Sequence, residues 1–361
     1  MKMRKIVCSF MISVVCFMTA ISGVSATSYD TSKINAAYSK VVEYYKNNNT
    51  LNNADKILAV ESLGLEAESN QFDTSSADLS STSLSKKIVT EVLLGVDPTE
   101  DKKTLESQID ENGNVEGSWG ASSDVWTLYA LYVTSSEKTN LIANKLNDEL
   151  AASSVCGYEW GGTYYADYDT TGWVIEGLAV VNKEKYATTI NKAIDYIKNN
   201  TTMTTTGWVT ADNVDTQSQV LEGMFAYDTN ALLNDSYTVH PVDCLLNTQL
   251  SDGSFPSGYN AEYTTAEVAK TLGTYKNGSV IIKAKKAYDK MMNPEQPDNT
   301  KPAQPTDTKK DSQSTNKVET TNQKTTSVKT GDETNIVIFV SLSMVSGGLF
   351  LVLRKEYERV H

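Results

Sequence analysis

Apolar residues recur at the spacing of an α-helix through most of the chain between residues 28 and 293. In one segment, for example, Ile190, Ala193, Ile194 and Ile197 fall on the same face of a helix. The same periodicity predicts amphipathic helices at residues 34–46, 105–112, 141–152, 186–198, 242–250 and 280–292. No stretch shows the strict alternation of apolar and polar residues that is typical of a β-hairpin.

An internal repeat predicts a second set of helices. The segment DTTGWVIEGLA, which begins at Asp169, matches DTQSQVLEGMF, which begins at Asp215, 46 residues further on. Related segments occur at 55–64, 86–95, 122–132 and 263–273. The chain therefore alternates outer and inner helices, at a period that is typical of helical repeats.

The two ends of the chain predict export and anchoring. Residues 1–26 have the features of a signal peptide, because an apolar run follows Lys2, Arg4 and Lys5, and small residues precede a cut after Ala26. Residues 336–353 are apolar and uncharged, which predicts a transmembrane helix with a basic cytoplasmic tail. Residues 294–329 are rich in Pro, Thr and Lys and predict a disordered linker.

The segment 327–361 is similar to a cell-wall sorting signal. Its Thr330 and Gly331 match the last two residues of the Leu-Pro-x-Thr-Gly motif, whereas Ser327 and Val328 replace Leu and Pro. One interpretation is that sortase cleaves between Thr330 and Gly331 and attaches the protein to peptidoglycan. The other is an uncleaved membrane stem. Both place the folded part outside the cell.

The net charge of the chain bears on its possible binding partners, and its cysteines bear on whether it contains a disulfide. The formal net charge of −13 at pH 7 gives an acidic surface that repels phosphate backbones, so we expect no nucleic-acid partner. Cys156 and Cys244 are the cysteines that remain once the leader is removed. The sequence leaves open whether they form a disulfide or stay as thiols.

Glycine and aromatic residues precede several inner helices, in GSW at 117–119, GYEW at 157–160 and GW at 207–208. Gln249, Gly253 and Phe255 are similar to the Gln-Trp repeat motif of squalene and terpene cyclases. The order of segments resembles the prenyltransferase-like domains of bacterial surface proteins, within the terpenoid cyclase and protein prenyltransferase superfamily. The resemblance implies an all-α fold, an (α/α)6 toroid of inner and outer helices, over residues 27–293.

Asp167-Tyr168-Asp169-Thr170 resembles the Asp-x-Asp-Asp acid motif of the cyclases, with Thr170 in place of the third acid. The resemblance implies an enzyme in which Asp167 and Asp169 do the acid chemistry. Alternatively, Asp169 caps a helix N-terminus, as its repeat partner Asp215 would. Because a repeated Asp-Thr pair argues for a structural role, we favour capping and a protein without catalysis, with the enzyme as the alternative.

Protein prenyltransferases also use zinc, held by Asp, Cys and His. In this chain Asp243, Cys244 and His240 lie close together, but their spacing differs from that of the family's site and the ligand set is incomplete. We expect Cys244 to be a core residue, and we expect no metal or other cofactor.

The helical period places polar and aromatic residues on the second face of the inner helices, where they would line the lumen of a toroid. These residues are Trp126, Tyr129, Trp173, Glu176, Gln219, Glu222, Glu267 and Lys270, and the same face also carries Gly177, Val180, Gly223 and Ala226. Such a mixed lumen suits an extracellular glycan, peptide or small polar ligand better than an isoprenoid. The alternative is that Lys270 pairs with Glu176 or Glu222 and that the aromatic residues fill the hole.

Overall fold

The computed structural model describes residues 29–48, 50–68, 80–160, 163–201, 213–235 and 237–294. The predicted signal peptide (1–26), nearly all of the predicted linker (294–329) and the sorting signal (327–361), with Thr330, Gly331 and the span 336–353, lie outside the described residues. Within the described ranges, no helix has both the length and the apolar character needed to cross a bilayer.

The described part of the chain is mostly helical, which confirms the expected all-α class. Its elements are α1 (Thr31–Asn47), α2 (Ala54–Ser62), α3 (Ser81–Leu93), α4 (Thr99–Ser107), α5 (Ala121–Val133), α6 (Thr139–Ser153), β1 (Gly157–Trp160), β2 (Thr163–Ala166), α7 (Tyr168–Asn200), α8 (Val214–Asn234), α9 (Pro241–Leu246), α10 (Ala261–Asn277) and α11 (Val280–Met292). Non-helical backbone at Asn182 and at Asp228 divides α7 and α8 into two parts each.

Six of the described helices contact one another in a closed cycle. The order is α2, α3, α5, α7, α8 and α10, and α10 returns to α2. We call these six the helix ring. The cycle brings together the six inner segments of the sequence repeat, although they are spread over more than 200 residues of the chain.

Contacts between neighbours show that α2, α5, α7, α8 and α10 run in the same direction. Between α8 and α10, for example, Gln219 contacts Glu267 and Glu222 contacts Thr274, so the residue numbers rise together along the two helices. The N-terminal ends of these helices therefore lie at one mouth of the ring, which we call the N-terminal mouth.

Glycine allows α7 and α8 to pack with their backbones in contact. A Cβ atom at Gly223 would lie 2.2 Å from the backbone oxygen of Gly172. Gly223 thus faces α7, and Gly177 faces Leu128 on α5. The prediction that Gly177 and Gly223 line the lumen was wrong, because these small residues serve the approach of neighbouring helices instead.

The last helix, α11, departs from a regular alternation of inner and outer helices. It contacts four members of the ring, α2, α3, α5 and α10, whereas α4 packs mainly on its neighbours α3 and α5. Lys283 Nζ on α11 lies 2.7 Å from Glu61 Oε2, near the C-terminal end of α2. Helix α11 therefore packs at the end of the ring opposite to the N-terminal mouth.

Three details of the predicted pattern were wrong. Strands β1 and β2 form an antiparallel hairpin at 157–166, where no hairpin was expected; the sequence between them is Gly161-Gly162, a dipeptide typical of tight hairpins. The helix expected at 105–112 ends at Ser107, and the one expected at 242–250 ends at Leu246. Turns follow both, at Asp110 and at Asp252, because each aspartate accepts backbone N–H groups two or more residues on.

Candidate functional site

Side chains of neighbouring ring helices meet at three levels, each one helical turn below the last. The mouth level holds Asp169, Asp215 and Tyr263; the middle level holds Asp55, Lys86, Trp126, Trp173, Gln219 and Glu267; the deep level holds Tyr129, Glu176, Glu222 and Lys270. All of the predicted polar and aromatic lumen residues belong to the middle and deep levels. The ring therefore brings the predicted set together.

The middle level runs almost without interruption around the ring. Lys86 Nζ lies 3.0 Å from Asp55 Oδ1 and 4.6 Å from the centre of the Trp126 ring. The Trp126 and Trp173 rings are 6.0 Å apart and meet edge to face. Across the cycle, the Gln219 amide donates to Glu267 Oε2 at 3.2 Å. Only Trp173 among these aromatic and amide groups is partly exposed.

Lys270 holds the deep level together. Its Nζ atom lies 3.0 Å from Glu267 Oε1 and 3.8 Å from Glu222 Oε2. It also lies 5.6 Å from the centre of the Trp126 ring, on a helix that is not a neighbour of α10 in the cycle. The side chains of Lys270 and Trp126 thus span the ring.

Glu176 has partners other than Lys270. Tyr129 OH donates to Glu176 Oε2 at 2.9 Å, and Ser279 Oγ at the start of α11 donates to Oε1 at 2.6 Å. The lysine thus pairs with Glu222 and Glu267, and hydroxyl groups satisfy Glu176. The deep level is buried, and at the middle level Trp126, Gln219 and Glu267 are buried whereas Asp55, Lys86 and Trp173 are partly exposed.

Burial sets the protonation of these acids. It raises the pKa of Glu222 well above its ordinary value, and Lys270 offsets only part of that shift. The pKa values of Glu176 and Glu267 are also raised by burial. Burial lowers the pKa of Lys270, but the Glu267 and Glu222 carboxylates outweigh it and raise that pKa above its ordinary value. Lys270 is therefore an ammonium group at neutral pH.

The mouth level corrects the expected helix cap. Asp167, and not Asp169, is the N-cap of α7: its carboxylate accepts from the backbone N–H of Thr170 at 3.1 Å and from the Thr170 hydroxyl at 2.7 Å. In α8 the N-cap is Asn213, which accepts from the backbone N–H of Thr216. Asp169 and Asp215 lie two residues beyond the caps, inside the first turn, so their carboxylates are not used in capping.

Asp169 and Asp215 lie in an environment that opposes their ionisation. Burial raises the pKa of Asp169 to about 7, and the nearby charges of Asp167, Asp215 and Glu267 act in the same direction, against a hydrogen bond from Thr216. Burial also raises the pKa of Asp215, against hydrogen bonds from the hydroxyl groups of Thr264 and Tyr259. Among the described lysines, none forms an ion pair with either aspartate.

Segments that precede ring helices, two loops and strand β2, carry exposed aromatic side chains towards the same end of the ring. Trp119 precedes α5 and is 65% exposed, Tyr165 precedes α7 and is 44% exposed, and Tyr259 precedes α10 and is 57% exposed. The Tyr259 ring lies 6.1 Å from that of Tyr263 at the mouth level. Exposed aromatic rings beside carboxylates are a common basis for recognising ligands with apolar faces and polar edges.

The residues considered for zinc have structural partners. His240 caps α9 by accepting from the backbone N–H of Val242, and its other ring nitrogen contacts the Leu232 carbonyl. Within the described ranges, no group of three or more His, Cys, Asp or Glu residues could hold a metal ion. Cys156 and Cys244 are buried and do not form a disulfide; burial raises the pKa of Cys244 to about 11, so it is a thiol at neutral pH.

Sequence reasoning missed Asp55 and Lys86, which complete the middle level. Aligning the segments 55–64 and 86–95 on their common Leu-Gly ending places Asp55 opposite Lys86, and that opposite-charge pair was the signal. It also missed Tyr259, since a tyrosine in a loop carries no periodic signal.

Comparison of the chain with known proteins gave no match to a protein-family profile, to a curated protein or to a solved structure.

Proposed function

We propose that residues 27–293 form an (α/α)6 toroid that is displayed at the cell surface and binds an extracellular ligand, a glycan, peptide or small molecule, without catalysis. The observation that carries this proposal is the N-terminal mouth, where the exposed Tyr259 contacts Asp215 and where the exposed rings of Trp119 and Tyr165 precede α5 and α7.

The toroid is supported by the closed cycle of six described helices and by the common direction of five of them. It is a regular toroid except at its last helix, because α11 packs at the end of the ring instead of beside α10. The sequence resemblance to prenyltransferase-like surface domains agrees with this arrangement, and it rests on the repeat and the Gln249-x-x-x-Gly253-x-Phe255 motif.

The ligand site belongs at the mouth and not in the centre of the ring. Lys270 and Trp126 meet across the ring, and α11 packs at its opposite end, so both routes deeper into the ring are occupied by side chains. Trp173 is partly exposed and lies one turn below Asp169, so it is the middle-level residue best placed to touch a ligand. Of the predicted lumen set, Trp173 and Gln219 would contact the ligand, and Tyr129, Glu176, Glu222 and Lys270 would support them.

A surface location follows from the predicted signal peptide, linker and membrane helix, with either sortase attachment at Thr330 or an uncleaved stem. If wall digestion releases the protein without the residues after Thr330, attachment to peptidoglycan is correct. If the full-length protein stays with the membrane, the stem is correct. Recovery of the protein inside the cell would overturn both.

One observation favours the enzyme alternative, acid chemistry at Asp167 and Asp169. Because Asp167 caps α7, Asp169 has no capping role, and its raised pKa leaves a carboxyl group that holds a proton near neutral pH. Against it, Asp169 is partly exposed and lies near Tyr259 and the acids Asp167 and Asp215, not in the dry apolar pocket that protonation of an alkene needs. Turnover of a polyprenyl substrate that is lost in Asp169→Asn would favour the enzyme.

The binding proposal is tested by glycan and peptide arrays probed with the full chain. Trp173→Ala should remove binding with a modest loss of stability, because a partly exposed ring makes fewer packing contacts than a core residue. The matched control is Leu178→Ala on the same helix, since Leu178 is fully buried. If Trp173→Ala lowers the melting temperature as much as Leu178→Ala does, Trp173 is a packing residue and the proposal fails.

A further inference from the structure

The three levels of the ring differ in their charge balance. The middle level has two acids, Asp55 and Glu267, and one lysine, Lys86; the deep level has two acids, Glu176 and Glu222, and one lysine, Lys270. The mouth level has two acids, Asp169 and Asp215, and none of the described lysines pairs with them. The mouth level is thus the one without a cation.

Buried polar atoms without partners lie beside these two acids. Asp215 is 4% exposed, and its Oδ1 atom has no hydrogen-bond partner; Gln219, one turn further along α8, is 1% exposed, and its Oε1 atom also has none. The Gln219 amide nitrogen is already held by Tyr263 and Glu267. Unsatisfied acceptors of this kind are costly, so they indicate a donor that is absent from the free protein.

The ring itself shows how it accommodates an ammonium group. Lys86 and Lys270 each place Nζ beside carboxylates and near the face of Trp126, at 4.6 and 5.6 Å from the ring centre. Trp173 is the repeat equivalent of Trp126, and it lies one turn below Asp169. A third ammonium group between Asp169 and Asp215, near Trp173, would repeat the arrangement.

An anion is the competing occupant, because the positive ends of several helix dipoles meet at this mouth. The caps argue against it. Asn53, Asp167, Asn213 and Asn260 already accept hydrogen bonds from the first-turn N–H groups of α2, α7, α8 and α10. Of the buried atoms without partners here, Asp215 Oδ1 and Gln219 Oε1 are acceptors and the indole nitrogen of Trp173 is a donor, and the charged side chains of the mouth level are acids.

We propose that the mouth level binds a primary ammonium group, a lysine side chain of a peptide, with Asp169 and Asp215 as its counter-ions and Gln219 Oε1 as a further acceptor. This inference rests on the proposed function, since it names the ligand chemistry of the same site. The ammonium group would supply both the missing positive charge and the missing donors.

The test uses the full chain on a peptide array in which each lysine peptide is present in three forms: unmodified, ε-acetylated and N-terminally acetylated. A panel of neutral monosaccharides and of inorganic phosphate accompanies it. We expect ε-acetylation to remove binding and N-terminal acetylation to leave it unchanged; the reverse would assign the site to a peptide amino terminus and overturn the lysine side chain. Binding of phosphate in place of the amines would overturn the ammonium group altogether.

Variants separate the site from the fold. Asp215→Asn and Asp169→Asn should each weaken binding of the lysine peptide by about tenfold or more, because a charge-assisted hydrogen bond becomes a neutral one. The control is Glu262→Gln, an acid of the same mouth whose carboxylate pairs with Lys56 at 2.8 Å, and it should leave binding unchanged. Ser122→Lys, at the mouth level of α5, should supply an internal ammonium group and block the peptide while the chain stays folded.

Two failures can be told apart. If sugars or ε-acetylated peptides bind and the Asp215→Asn variant binds them equally well, the ammonium site is wrong and the ligand-binding function stands. If no glycan or peptide binds the folded chain, both are wrong.

Discussion

The protonation of Asp169 gives the most direct test of the environment at the N-terminal mouth. Its pKa is raised from 3.8 in the unfolded chain to about 7, first by burial and then by Asp167 and Asp215. Because the folded pKa lies above the unfolded one, folding takes up a proton, and stability falls as the pH rises from about 4 to about 7. Above pH 7 the penalty is constant.

The size of the effect follows from the shift. About 3 pKa units at roughly 1.4 kcal/mol each give about 4 kcal/mol as an upper limit. Asp169 is partly exposed, so solvent screening reduces the expected gain from Asp169→Asn to on the order of 1–2 kcal/mol at pH 8. The asparagine keeps the shape of the side chain and still accepts from Thr216.

Urea unfolding of the wild type and of Asp169→Asn between pH 4 and pH 8 measures this. The variant should be the more stable at pH 8, and its advantage should shrink towards pH 4, where both side chains are neutral. Asp167→Asn is the comparison: Asn caps a helix about as well as Asp, and loss of the Asp167 charge should reduce the shift of the Asp169 pKa without abolishing it, because burial is the larger cause. A variant that is less stable than the wild type at pH 8, or a difference that does not change with pH, would refute the reasoning.

Other substitutions test the ring. Asp167→Ala should lower stability by about 1 kcal/mol through loss of the cap, measured by urea unfolding; no loss would contradict the assignment of the cap to Asp167. Gly223→Ala should lower the free energy of unfolding by about 1–3 kcal/mol, because the added Cβ would lie 2.2 Å from the backbone of α7. Gly177→Ala should lower it less, because its Cβ meets only side chains of α5, at 3.1 Å or more. Equal melting temperatures for the two variants would refute this packing. Lys270→Met should lower the free energy of unfolding by about 3–5 kcal/mol at neutral pH, because it leaves buried acids unpaired. The loss of stability should be smaller at pH 5.

Periodicity and repeat were sufficient to predict the ring helices, because burial of an apolar face imposes its spacing on every repeat. Trp126 and Trp173 were expected at equivalent positions, and their rings do meet. The partners of Lys270 were less predictable. Helical spacing does not show whether Lys270 pairs with Glu222 or with Glu176. The pairing depends on Ser279 at the start of α11, whose hydroxyl donates to Glu176.

The cap was assigned to the wrong residue because two aspartates lie within one helical turn of each other. The repeat drew attention to Asp169 and Asp215, which recur, whereas the caps are Asp167 and Asn213, which differ in residue type. An N-cap needs only a short acceptor side chain, so Asp and Asn exchange there without loss. The residue that is strictly repeated is therefore the better candidate for a role other than capping.

A repeat makes a missing partner visible, because each position of the ring can be compared with the same position in the neighbouring helices. Two acids with one lysine occur at the middle and deep levels. The acids without a lysine, Asp169 and Asp215, occur at the level nearest to the N-terminal mouth. Asp169 is partly exposed, so water reaches one of the two acids, whereas Asp215 is buried and has an acceptor atom without a partner. This is also the level that a cation entering from the mouth reaches first, so the charge imbalance lies where an external ammonium group would remove it.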